Sequence, residues 1–214
     1  MGHLYRNQYK DNIDRYSDML VFISAGHETT SWTIVWLLIA IVKHPAVKKK
    51  LQLELDACIP SRHTTTGISS SFPSISTLSS LPYLSMCIKE TMRLWPVAAS
   101  GPRRVTSEDM YITTNAHTHT TLIPKGSTIQ IPLYSMFRSE WIIQSDEFIP
   151  ERWDKENIQY NQLKEMFIPF STGRRNCIGQ NLANIELVLI ASYMLRYYDY
   201  ELISKPELEL FLTF

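Results

Sequence analysis

Arg15 to Lys43 reads as one long helix with apolar residues on most of its faces, and this stretch limits the fold more than any other feature of the chain. A helix that is apolar nearly all round is buried in a protein interior, so it predicts a central element that expects neighbours on several sides. Its most apolar run, Ile34 to Val42, is shorter than the roughly 20 apolar residues that span a bilayer. His27 and Glu28 lie just upstream, so extending the run backwards does not lengthen it usefully. Gly26 sits in mid-helix, where glycine costs about 1 kcal/mol relative to alanine.

The remaining punctuation predicts a mainly helical chain. Pro45 opens a second helix, where its missing N–H does no harm; Val47, Leu51, Leu55 and Cys58 form its apolar stripe, and Lys48, Lys49 and Lys50 face water. Arg62 to Ser80 is rich in Ser and Thr and reads as an irregular loop. A third helix starts near Pro82 and ends before Pro96, because the residue ahead of a proline is pushed out of the helical region. From Val97 to about Pro132 the pattern changes to short strands, with a turn at Ile123-Pro124-Lys125-Gly126 and an alternating stretch from Thr128 to Ile131. His117 and His119 precede that turn; a His-x-His pair can bind metal, but a solvated loop is the better reading. An amphipathic helix from about Gln180 to Tyr197 is the last recognisable element.

Composition narrows the function. Lys plus Arg and Asp plus Glu each number 21, a formal net charge of zero, so no electrostatic footprint for a nucleic-acid partner exists. Three cysteines at irregular positions make no disulfide framework and fit a reducing compartment. Met1 to Asp18 is polar and charged, unlike a signal peptide or a membrane anchor.

The most specific stretch is Phe170-Ser171-Thr172-Gly173-Arg174-Arg175-Asn176-Cys177-Ile178-Gly179, just ahead of the last helix. Its glycines let the backbone turn tightly and approach a bulky planar group. A cysteine between them can take backbone N–H bonds on its sulfur, which favours the thiolate that metals require. Arg175 can meet an anion with a planar fork of donors. A buried structural cysteine beside a surface arginine is the ordinary fate of a lone Cys, and Cys177 alone would favour that reading.

The pattern F-x-x-G-x-R-x-C-x-G resembles the heme-binding signature of the cytochrome P-450 superfamily at every fixed position, and three further landmarks follow the family's order. Ala25-Gly26-His27-Glu28-Thr29-Thr30 is similar to the family's oxygen-binding segment. Glu90-Thr91-Met92-Arg93 matches its E-x-x-R, with both charges on one helix face. Phe148-Ile149-Pro150-Glu151-Arg152-Trp153 resembles its P-E-R-F segment. Met136 to Glu140 departs from a His-Arg-Asp-Pro-like run that many members carry.

The resemblance implies a mainly α cytochrome P-450 fold with small peripheral β-sheets, of which residues 1–214 form the C-terminal helical half of the heme domain, the N-terminal part being missing. It implies heme b as cofactor, Cys177 as axial ligand to the iron, and Phe170, Gly173, Arg175, Gly179 and Arg104 as heme-binding residues. Gly26 leaves a groove for dioxygen; Glu28 and Thr29 relay protons and hydrogen-bond at the oxygen site. His27 is read as packing or hydrogen bonding and not as an iron ligand. Glu90, Arg93 and Arg152 form a buried charge cluster supporting the cysteine loop, and Ala25, Val97, Ala98 and Ala99 fall where the family lines its substrate pocket.

The implied activity is a monooxygenase that places one atom of dioxygen in a small lipophilic substrate. The chain carries no nucleotide- or flavin-binding fingerprint, so electrons come from a separate NADPH-dependent reductase. Full-length relatives of this type sit on the endoplasmic reticulum membrane facing the cytosol, and this chain shows no anchor. Two alternatives stand beside this one. One is a truncated, non-catalytic remnant; the other is a heme-thiolate enzyme that rearranges or consumes peroxides, against which the Glu28-Thr29 pair speaks.

Overall fold

The computed structural model describes residues 11–59, 74, 77–78, 80–113 and 120–203. His117 and His119 lie outside them, as does most of the Ser/Thr-rich loop. The chain forms two compact units, one of Met1–Ile88 with Ile178–Leu202 and one of Lys89–Cys177 with Ile203–Phe214.

The first unit is built from helices. Helix α1, Asn12–Lys43, begins where Asp11 accepts from the backbone N–H of Ile13 (2.8 Å) and Asp14 (3.0 Å), and Lys43 lies in its last turn; a carboxylate at the start and a cation at the end both suit the helix dipole. Helix α2, Pro45–Cys58, follows after a bend of 111°. Val47, Leu51 and Leu55 repeat every four residues and are buried. Helix α3, Pro82–Leu94, straddles the division between the units. Its first turn is capped from α2, where the Glu54 carboxylate accepts from Tyr83 N–H at 2.7 Å and Leu84 N–H at 2.9 Å.

The last helix of the unit, Gln180–Tyr197, packs on α1 and α2. Leu187, Ala191, Ser192 and Leu195 are its buried stripe. Its C-terminal end is tied to α2 by ion pairs Arg196–Asp56 and Lys48–Asp199, and Arg196 Nε donates to Ile59 O at 3.1 Å.

Burial of α1 differs from the reading of a helix enclosed throughout. Thr30, Thr33, Ile34, Leu37, Ala40 and Ile41 are buried, whereas Ile13, Leu20, Val21, Phe22 and Ile23 are 53–73% exposed. Among the described residues, the helices that cover α1 within this unit reach only its second half. Apolarity alone could not show this, because both halves carry it. Among the described residues no single helix is long and apolar enough to cross a membrane.

Among the described residues, the second unit holds two antiparallel pairs. Strand β1 (Arg103–Val105) pairs with β4 (Thr128–Gln130), setting Arg104 opposite Ile129. Strand β2 (Met110–Thr113) pairs with β3 (Thr120–Ile123). Gly101 lies ahead of β1 at φ +68°, and a Cβ there would stand 1.8 Å from Ile131 O; only glycine fits that approach. Two short helices that the sequence pattern did not announce follow: α4, Leu133–Met136, and α5, Tyr160–Met166, with a 3₁₀ turn, Pro150–Trp153, between them. In chain order the helix Gln180–Tyr197 is α6.

The core of this unit is aromatic. Phe167 lies 5.5 Å from Phe137 and 4.5 Å from Trp153, centroid to centroid, and Trp95 lies 6.2 Å from Phe148. Phe137, Phe148 and Trp153 are buried together with Leu133, Ile142 and Leu163.

Candidate functional site

The second unit gathers Glu90, Arg93 and Arg152, none more than 3% exposed. The three-residue spacing in α3 places Arg93 beside Glu90: Nε donates to Oε2 at 2.9 Å and Nη2 to Oε1 at 2.8 Å. Arg152 Nε reaches Oε1 at 3.2 Å from the 3₁₀ turn. The backbone N–H of Ile149 donates to Oε1 at 3.1 Å, and the Trp153 indole N–H donates to Oε2 at 2.9 Å.

One carboxylate cannot neutralise two guanidinium groups, and backbone carbonyls take up the remainder. Arg93 donates to the carbonyls of Phe137 (2.8 Å), Ser145 (2.6 Å) and Glu147 (3.1 Å). Arg152 donates to the carbonyls of Ile143 and Gln144 and to Gln159 Oε1 at 3.2 Å. Burial pulls the Arg152 guanidinium below its ordinary pKa, and the nearby Glu90 carboxylate opposes that pull. Two charges therefore fold the chain around 137–147 inward; Gln144, in the left-handed region at φ 52°, is part of that turn. Arg138 lies in the same segment with its guanidinium 3.9 Å from the Tyr134 ring centroid and Nε 3.2 Å from Asp146. Burial likewise lowers its pKa.

The loop Phe170–Cys177 belongs to the same unit. Ser171 adopts φ +61° and Gly173 φ +77°. Such angles favour glycine, and a non-glycine residue there is uncommon. A 3₁₀ turn, Gly173–Arg175, follows, with Asn176 N–H donating to Gly173 O at 3.2 Å. The loop closes where Cys177 N–H donates to Phe170 O at 2.9 Å. Arg175 and Cys177 are exposed, Phe170 is half-buried, and Gly179 stands at the start of α6. The closure runs through the Cys177 backbone; among the described residues no hydrogen bond to its sulfur is present.

Among the other residues singled out in this unit, Val97 and Ala98 are exposed and Ala99 is half-buried in the turn after α3. Arg104 is exposed on β1, with Nη1 donating to Arg103 O at 2.8 Å.

Ala25, Gly26, Glu28 and Thr29 belong to the first unit, on α1. Ala25, Glu28 and Thr29 share a face by their three- and four-residue spacing. The Thr29 hydroxyl donates to Ala25 O at 2.8 Å, so its proton is held within the helix while its oxygen can still accept. A Cβ on Gly26 would meet nothing within 4 Å. Glu28 and His27 are exposed, and His27 O accepts from the Ser31 hydroxyl at 2.7 Å.

Two participants escaped the sequence reading. Trp153 is a donor to Glu90, a role its aromatic character hides; the signal was an indole N–H at a buried position, which needs a partner. Gln159, held against Arg152, carried no pattern at all.

Comparison with known proteins converges on one family. The sequence pattern described as Cytochrome P450 matches residues 12–213. Cytochrome P450 3A14 of Cavia porcellus is 34% identical over 182 residues, covering 84% of this chain and 33% of that protein. Cytochrome P450 3A6 of Oryctolagus cuniculus is 31% identical over 202 residues, covering 94% of this chain and 37% of that protein. Benzoate 4-monooxygenase bphA of Aspergillus niger is 33% identical over 196 residues, covering 90% and 36%. The chain thus spans about a third of the length of these curated relatives.

Proposed function

The chain belongs to the cytochrome P450 family, and on that premise we propose that it holds heme through Cys177 and serves a monooxygenase that places one atom of dioxygen in a small lipophilic substrate. The observation that carries this reading is the loop itself. An exposed thiol follows two left-handed residues and a 3₁₀ turn, in a closure fastened by Cys177 N–H to Phe170 O. A single axial thiolate needs one free side chain and no cluster of ligands, and Cys177 supplies it.

The residues present fit heme b. Cys177 would hold its iron, and Phe170, Gly173 and Gly179 would shape the loop around it. Arg175 and Arg104, both exposed, would be the cations for its carboxylates. What the cofactor supplies when bound is an iron centre whose thiolate ligand favours O–O cleavage. On α1, Gly26 leaves the helix surface bare beside Ala25. Glu28 takes protons from water and would hand them to the oxygen site, while Thr29 Oγ1, whose own proton is donated to Ala25 O, would accept a hydrogen bond there. Val97, Ala98 and Ala99 leave room for an apolar substrate. Electrons come from a separate NADPH-dependent reductase, and the endoplasmic reticulum membrane, cytosolic side, is the place this reading assigns to the protein.

The test is substitution at the ligand and at the proton path. Cys177→Ala abolishes the thiolate-type heme spectrum. Glu28→Gln and Thr29→Ala retain that spectrum and lower reductase-driven turnover by on the order of 10²-fold. Retention of the thiolate spectrum by Cys177→Ala defeats the reading.

The exposed apolar run from Met19 to Ile23 favours a second reading, a non-catalytic remnant that binds heme without turnover. Turnover with reductase and NADPH excludes it, and a thiolate spectrum without turnover supports it.

A further inference from the structure

Trp153 closes the Phe148–Trp153 segment and brings one polar group to a place 4% exposed. A buried indole N–H without a partner is costly, and here it has one: Nε1 donates to Glu90 Oε2 at 2.9 Å. The same ring lies 4.5 Å from Phe167, and Lys89 Nζ stands 5.9 Å from its centroid.

Phe167 ends α5, where its N–H donates to Leu163 O at 2.9 Å. It is also the root of the cysteine loop. Ser171 N–H closes on Ile168 O at 2.9 Å, and Phe170 O receives Cys177 N–H at 2.9 Å. One side chain therefore touches the charge cluster through its N–H and the loop's root through its ring.

We propose that Trp153 is a positioning residue for the Cys177 loop, the indole N–H fixing the ring on Glu90 and the ring face fixing Phe167. The consequence for iron ligation rests on Cys177 being the ligand; the positioning itself does not. Because Glu90 is held by Arg93 and Arg152 independently, loss of the indole donor frees the ring without dismantling the cluster.

Hydrogen–deuterium exchange of the intact protein without heme tests this, comparing Trp153→Phe and Trp153→Leu with the parent. Trp153→Phe keeps an aromatic ring and removes the donor; Trp153→Leu removes both. The expected result is uptake in 167–177 about tenfold faster in Trp153→Phe, the loss of one bond to a charged acceptor. Trp153→Leu is faster still, and uptake across Pro45–Cys58 stays at the parent rate in both. Unchanged uptake in 167–177 for Trp153→Phe overturns the proposal. So does a rise in both segments by one common factor, which marks a purely global loss of stability. If Trp153→Leu does not fold, Trp153→Phe alone decides. The readout needs no heme, so an absent thiolate spectrum in the parent defeats the ligand assignment and leaves this result standing.

Discussion

Arg93 grips both oxygens of Glu90, Nε at 2.9 Å from Oε2 and Nη2 at 2.8 Å from Oε1, with neither side chain more than 1% exposed. The grip does more than pair charges. The face of Arg93 turned away from Glu90 collects three carbonyls between Phe137 and Glu147, so one guanidinium organises a segment that has little regular structure of its own.

Breaking that pair leaves an uncompensated charge in the interior. Glu90→Ala should destabilise the protein by about 3–5 kcal/mol, read by chemical denaturation. Arg93→Lys should cost nearly as much, because an ammonium cannot reproduce the fork or reach three carbonyls together. A loss below about 1 kcal/mol for either would show the cluster to be dispensable.

Two glycines should respond in opposite directions. Gly173→Ala forces a side chain into φ +77° and should cost about 1–2 kcal/mol. Gly26→Ala meets nothing within 4 Å and should stabilise α1 by about 0.5–1 kcal/mol. If Gly26 serves the oxygen site as proposed, the same substitution lowers turnover while raising the melting temperature, a pairing that thermal unfolding and activity assays detect together.

The cap on α3 comes from another helix. Glu54→Ala removes the acceptor for Tyr83 and Leu84 N–H and should cost about 0.5–2 kcal/mol. Glu54→Gln, which keeps one carbonyl oxygen, should recover part of it. Equal losses for the two variants would point to charge rather than capping.

Asp199 gives a pH signature. Its hydrogen bond from Lys48, and that residue's charge, hold its carboxyl below the ordinary value. A depressed folded value adds stability that is complete above the unfolded pKa of about 3.9 and is lost as pH falls through the lower folded value. The pair is exposed, so the effect on stability is small. The direct check is NMR titration of Asp199, whose midpoint should rise toward the ordinary range in Lys48→Ala.

Much of this architecture was legible because prolines and helical periodicity mark it. Pro45 starts α2, α3 ends ahead of Pro96, and α6 has the bounds that its amphipathic pattern indicates. Helices α4 and α5, of four and seven residues, were not, since so few turns establish no period. The division of α1 into an exposed and a buried half depends on which helices cover it, and apolar residues occur in both halves. The spacing of Glu90 and Arg93 was visible, but the carbonyls that Arg93 collects carry no side-chain signal. The resemblance pointed to Cys177; its closure onto Phe170 through the backbone is a property of φ angles that Ser171 does not advertise.

Ligation of heme iron by the Cys177 thiolate is read out by the carbon monoxide difference spectrum of the reduced, heme-supplied protein. The expected result is a Soret band at the family's red-shifted position, lost in Cys177→Ala. A blue-shifted band alone, or the same spectrum with and without the thiol, would contradict it.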